Sequence, residues 1–177
     1  MLWSIAFDRL GVVVSDLYFV DPNPGQGQEG AERGVRLELR RFDRDALKGS
    51  IYSAVPVRID RPLWRVDLLE SVASAPGSLD RAHHHPRFSG WEPGQRVFVA
   101  ELSADPVRWL RDRLADPALV LTEAGEDPTD HAADVAALQS AAPMVAGTVE
   151  HLLGEVAAGR AGVAPEGSGD AVRASWL

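Results

Sequence analysis

The sequence predicts an α+β domain: an antiparallel sheet of about five or six strands over roughly residues 2–102, with C-terminal helices packed on one face. Segments rich in β-branched and aromatic residues, several of them alternating apolar with charged, fill the first half of the 177-residue chain. Past residue 102 the pattern changes to Asp-Pro start signals followed by apolar residues at helical spacing. No repeat and no linker interrupts residues 1–158, which read as one domain. Residues 159–177 are rich in Gly, Ala, Pro and Ser and read as a flexible tail ending in Trp176-Leu177.

The elements follow in order. Residues 10–20 hold the run Gly11-Val12-Val13-Val14 and then Leu17, Tyr18, Phe19 and Val20, a strand by composition. Residues 21–34 have turn formers at nearly every position, beginning Asp21-Pro22-Asn23-Pro24-Gly25, and read as a loop. Val35, Leu37 and Leu39 alternate with Arg36, Glu38 and Arg40, the pattern of a strand with one face in water. A strand over 51–59 has Pro56 in its middle; proline cannot donate to a ladder, so this segment is expected at an edge or bulge. After Arg61-Pro62 comes a strand with Trp64, Val66 and Leu68 on one face and Arg65 and Asp67 on the other. Residues 96–102 supply the last strand. Asp105-Pro106 opens a helix with Val107, Leu110 and Leu114 on one side, and Asp127-Pro128 opens another that Pro143 is expected to end or kink. Val145, Val149, Leu152, Leu153 and Val156 make an apolar stripe, expected as the inner face of a packed helix, with a homodimer interface through the C-terminal helices as the alternative.

Composition removes several kinds of chemistry. The chain has no cysteine, which excludes disulfides, thiol nucleophiles and thiolate metal sites. A metal would have to be held by His, Asp and Glu, donors that suit Zn, Mn, Fe or Ni. Lys48 is the single lysine among 18 basic residues, so lysine chemistry has one place to occur. The abundance of Arg, Ala, Gly, Val and Asp resembles the output of a GC-rich bacterial genome. No apolar run approaches the roughly 18–20 residues that span a bilayer. The start, Met1-Leu2-Trp3-Ser4, lacks the basic and apolar stretches of a signal peptide, and a cytoplasmic protein is expected.

The net charge of −8 argues against general nucleic-acid binding, which needs an uncompensated basic surface. That charge is unevenly spread. Residues 33–113 carry 15 basic and 11 acidic side chains, whereas residues 114–159 carry eight acidic and no basic ones. The basic middle leaves room for a small anionic ligand.

Chemistry concentrates in residues 77–94, where His83-His84-His85 stand among Asp80, Arg87, Phe88, Trp91, Glu92 and Pro93-Gly94. Three of the five histidines of the chain lie here. In an extended segment His83 and His85 point one way and His84 the other. With Asp67 or Glu92 as a carboxylate they make a two-His-one-carboxylate set for a divalent ion, with open coordination positions. The spacing Gly77-x5-His83-x-His85 resembles the opening of the first metal motif of the cupin family, and Pro93-Gly94 continues the likeness. The resemblance implies a β-rich fold and a ligand Glu after three or four further residues, but Ser89 and Gly90 occupy those places and Glu92 comes too late.

Catalytic roles are therefore expected for His83, His85, Arg65 and Asp67, metal ligation for His83, His85 and Glu92, and ligand contact for Arg96 and Trp91. One histidine would be ligand or general base, and Arg65 or Arg96 an anion clamp, in hydrolytic or acid–base chemistry. The competing expectation is a non-enzymatic interaction protein that uses its acidic C-terminal helices. Signatures of a serine-hydrolase elbow, a phosphate loop, a dinucleotide fold and a helical zinc protease are all missing from the sequence.

Overall fold

The computed structural model describes residues 1–165. Within them β1 (Leu2–Ala6), β2 (Leu10–Val20), β3 (Ala31–Arg44), β4 (Val57–Ser71) and β5 (His83–His85) pair in chain order, each antiparallel to its neighbour. A small hairpin, β6 (Phe88–Ser89) with β7 (Glu92–Pro93), follows. The helices α1 (Ala100–Ala104), α2 (Pro106–Ala115), α3 (Pro117–Ala124) and α4 (Ala132–Ala157) complete the α+β arrangement, with a 3-10 turn at Pro128–His131 leading into α4. No helix among the described residues is long and apolar enough to cross a membrane.

Alternation along the strands decides which face the helices cover. Leu10, Val12 and Val14 of β2, Val35, Leu37 and Leu39 of β3, and Trp64, Val66 and Leu68 of β4 are all buried in one core with Leu110, Leu121, Val145, Val149 and Leu152 of the helices. Each such aliphatic side chain contributes about 1.5–3 kcal/mol by leaving water. Trp64 is fully buried and stacks on Trp109 of α2 at 6.1 Å between ring centroids. Trp64→Ala would cost about 3–5 kcal/mol and is the single change most damaging to this layer. The Val145–Val156 stripe is thus the inner face of α4.

The long β3–β4 pairing depends on two exceptions to regular strand chemistry. At Gly34 a Cβ would stand 2.0 Å from the Leu68 carbonyl oxygen, so only glycine lets the strands approach there. At the other end the register shifts between Leu39 and Phe42, opposite Pro62. Proline withholds a ladder donor, and the bulge absorbs it.

Several local expectations need correction. Residues 51–56 form turn and coil, leaving Pro56 outside any strand, and β4 runs unbroken through Arg61-Pro62. The expected strand over 96–102 is reduced to a single bridge from Val97 to His84, followed by α1. Residues 57–59 of the first segment do pair, with Phe42, Asp43 and Arg44 of β3. Pro143 neither ends α4 nor divides it. Pro143 and Gln139, whose carbonyl loses its donor, are both exposed, so water can serve that oxygen while the buried flank holds the helix. Strand β1 and helix α3 were not anticipated, although Asp116 caps α3 through Leu119 N just as Asp105 caps α2 through Arg108 N.

The first residues of the expected tail fold back onto the sheet: Ala161 is buried and Gly162 N donates to Asp16 Oδ2 at 2.9 Å. Trp176 and Leu177 lie outside the described residues.

Candidate metal centre

The uncovered face of the sheet carries the chemistry. Register sets Arg36 opposite Asp67 and Glu38 opposite Arg65 across β3 and β4. Across β4 and β5 it sets Asp67 opposite His83 and Arg65 opposite His85. All six alternate with core residues, so they share the face turned away from the helices. His84 pairs with Val66 and points into the core, its ring 5.2 Å from Trp109.

The return from β4 to β5 fixes this register. Asp80 Oδ1 accepts from Ser71 N at 3.0 Å, and Leu79 is held in the left-handed region (φ 48°) with its side chain buried. That backbone costs a leucine on the order of 1–2 kcal/mol, which burial of the side chain offsets.

The two outward imidazoles are oriented alike. His83 Nδ1 meets the Arg81 carbonyl at 2.8 Å and His85 Nδ1 meets the Gly94 carbonyl at 2.9 Å. A carbonyl only accepts, so each Nδ1 carries the proton and each Nε2 presents a lone pair. Both lone pairs face one carboxylate oxygen: Asp67 Oδ2 is 3.4 Å from His83 Nε2 and 3.6 Å from His85 Nε2. The ligand atoms of all three side chains lie within 4.8 Å of one another. These separations are too long for good hydrogen bonds, which prefer about 2.7–3.2 Å. They match two donors sharing an ion: bonds of about 2.0–2.1 Å at a tetrahedral angle set the donors about 3.4 Å apart. A ring N–H tied to a carbonyl behind a ligating imidazole is also the usual arrangement behind metal-bound histidine.

All three groups are buried, at 1% exposure for Asp67, 4% for His83 and 2% for His85. Burial alone would raise the Asp67 carboxyl. Arg36, with Nε 2.5 Å from Oδ1, the His85 contact, and Arg65, with Nε 2.9 Å from Oδ2, override it and hold the group ionised well below the usual carboxylate range. Burial lowers His83, against the opposing pull of Asp67. Desolvation, aided by Arg113, pushes His84 down to about 4, so it sits neutral in the core. Arg65 also donates through Nη2 to His85 Nε2 at 2.9 Å, supplying positive charge where a cation would stand. Even so, Asp67 Oδ2 and Arg65 Nε have no aligned hydrogen-bond partner. A buried carboxylate oxygen left so is a strong acceptor awaiting one.

Of the residues singled out from the sequence, Asp67, His83, His85 and Arg65 come together here. Glu92 does not join them. It is exposed on β7, paired with Ser89, and the carboxylate that stands beside both histidines is that of Asp67. Arg96 bonds to Gln28 Oε1 at 2.7 Å and lies 3.8 Å from Asp21, while Trp91 covers Arg40 at 5.4 Å rather than any histidine.

Sequence reasoning passed over Arg36, although its place on the charged face of an alternating strand was the available signal. It also passed over Phe98, whose ring lies 5.4 Å from His83, and Glu32, a buried carboxyl raised by desolvation. No local pattern marks either.

No family model, curated protein or solved structure matches the chain. The cupin likeness therefore stays confined to Gly77, His83, His85 and Pro93-Gly94. An open five-stranded meander under helices is also unlike the double-sheeted β-roll that the likeness implies.

Proposed function

We propose that Asp67, His83 and His85 bind a divalent ion of the Zn, Mn, Fe or Ni type, and that the protein uses it for hydrolytic or acid–base chemistry on a small molecule. One observation carries this reading: two imidazoles with Nδ1 protons committed to carbonyls set both Nε2 atoms within 3.6 Å of one buried carboxylate oxygen, which is ion-paired with Arg65 but has no aligned hydrogen-bond donor. The donor set is two nitrogens and one oxygen with no sulfur, which leaves coordination positions for water or substrate. An ion so held polarises a substrate oxygen and lowers the pKa of bound water toward neutrality.

The chain's own groups have separate tasks. Asp67 is pinned by Arg36, so it keeps its charge and its aim. Arg65 must release His85 Nε2 when an ion arrives, and its guanidinium then faces the neighbouring cavity.

The test is metal content of untagged protein equilibrated in turn with the four ions. About one equivalent of at least one ion is expected in the native chain and under a tenth of that in His83→Ala/His85→Ala. Less than stoichiometric metal with every ion overturns the proposal.

A further inference from the structure

We propose that the cavity beside the metal centre binds a small organic monocarboxylate, gripped by Arg40 and Arg65 and covered by Trp91. As the identity of a substrate this rests on the metal reading, but the binding itself does not require the ion. The cavity measures about 340 Å³, within the range of small-molecule sites. Arg36, Glu38, Arg40, Arg65, Phe88 and Trp91 line it.

Charge selects the ligand. Arg36 is paired with Asp67 at 2.5 Å and Arg40 with Glu38 at 2.6 Å, so the three arginines exceed the two carboxylates by one charge. One surplus positive charge matches a monoanion better than a phosphate dianion. The donors are in place as well. A guanidinium carries five N–H groups. Arg40 uses Nε on the Asp60 carbonyl and Nη1 on Glu38, and Arg65 uses Nη2 on His85 and turns Nε to Asp67, which still leaves each with N–H groups to offer. Fork-shaped donors of this kind suit a planar carboxylate.

The aromatic rings hold those forks in position. Arg40 lies 5.4 Å from the Trp91 ring centre and Arg65 5.5 Å from that of Phe88. Trp91 is 61% exposed in a hairpin tip and lines the cavity beside Arg40, so its ring is accessible to a ligand held there. Val13 and Leu2 add apolar wall, so the ligand is a carboxylate head on an apolar or aromatic body. Arg65 touches both Asp67 and His85, which brings that head next to the metal centre.

Isothermal titration with benzoate, on the full chain with and without zinc, tests this. Saturable 1:1 binding is expected in the native chain. Arg40→Gln should weaken it about tenfold or more, the range for a hydrogen bond to a charged group, and Trp91→Ala several-fold. Trp91 is exposed, so that variant should melt as the native chain does and report on binding alone. Absence of saturable benzoate binding under both conditions, unchanged affinity in both variants, or tighter binding of inorganic phosphate than of benzoate would each overturn the proposal. Metal content of the native chain with all four ions separates the two readings: benzoate binding without a stoichiometric ion of any kind upholds the cavity and removes the ion, and the reverse upholds the ion and removes the cavity ligand.

Discussion

Two buried imidazole–carboxylate clusters occur in this protein, and they are built on opposite plans. At Asp67, His83 and His85 the polar atoms converge, with both Nε2 atoms facing one oxygen. At Glu126, His131 and Asp134 they diverge: His131 turns Nδ1 toward Asp134 at 3.8 Å and Nε2 toward Glu126 at 3.7 Å. Asp134 Oδ1 is already saturated, accepting from the backbone N–H groups of Asp8, Arg9 and Leu10 at 2.9, 3.0 and 3.1 Å. Glu126 is likewise engaged by Arg41 and Arg61. The divergent cluster fastens the β1–β2 turn and the sheet to the start of α4. The convergent one gathers its polar atoms around a single acceptor, Asp67 Oδ2. The orphan of the divergent one is His131 Nδ1, turned toward a carboxylate that three backbone N–H groups already hold, and that difference separates a clasp from a site.

Breaking the clasp should have the largest effect. Asp134→Ala strands the buried N–H of Leu10, costing about 1–3 kcal/mol without a partner, and the part-buried N–H groups of Asp8 and Arg9 at a smaller cost, so a loss of about 3–4 kcal/mol is expected in urea unfolding. A cost under about 1 kcal/mol would show that water replaces the carboxylate and that the cluster clasps nothing. Asp67→Asn comes next. It leaves Arg36 and Arg65 without their countercharge, and because both are slightly exposed the expected cost is about 3 kcal/mol, at the lower end for a broken buried pair.

Zinc at about a hundred times its dissociation constant should stabilise the native chain by about 2.7 kcal/mol. That gain should vanish in His83→Ala and persist in His131→Gln. Its loss in His131→Gln would mean that the two clusters do not act separately.

The smallest effect concerns acid. Glu126 is partly desolvated, yet Arg41, first by hydrogen bond and then by charge, together with Arg61 and His131 holds its carboxyl below the ordinary value of 4.5. Its contribution is therefore fully present above pH 4.5 and is lost as pH falls through the lower folded value. Arg41→Gln should lower the unfolding free energy slightly at pH 7, where that contribution is present, and leave it almost unchanged in strong acid, where it is already lost. The dependence on pH below 4.5 should therefore flatten in urea unfolding followed across that range.

Period-two patterns in the sequence carried more than composition did. Alternation alone assigned Trp64, Val66 and Leu68 to the core, put Arg65 with Asp67, and separated His84 from its neighbours, because strand geometry leaves a side chain only two directions. What it could not supply was registry between strands. The pairing of Arg36 with Asp67 depends on a bulge at Pro62 and a close approach at Gly34, and neither has a signature outside the pairing itself. The sequence offers either Asp67 or Glu92 as the carboxylate beside the histidines, and spacing alone does not choose between them. The hairpin at residues 88–93 carries Glu92 away, and a strand sixteen residues earlier than His83 provides Asp67 instead. The Asp-Pro rule for helix starts applied at Asp105, Asp116 and Asp127 alike, and α3 was overlooked for want of length rather than of signal.

Strand β5 is only three residues long, and every one of them is an imidazole pressed against something. Two rings stand on the chemical face. The third rests against the indole pair Trp64 and Trp109, which are stacked within 8° of parallel on the far side of the sheet. The strand is consequently one short piece of backbone that carries the outer rings on one face of the sheet and the indole contact on the other. Occupancy of the outer rings is therefore expected to reach Trp64 and Trp109 through three residues of backbone, and a change in tryptophan emission on adding zinc, absent in His83→Ala/His85→Ala, is the measurement that checks it.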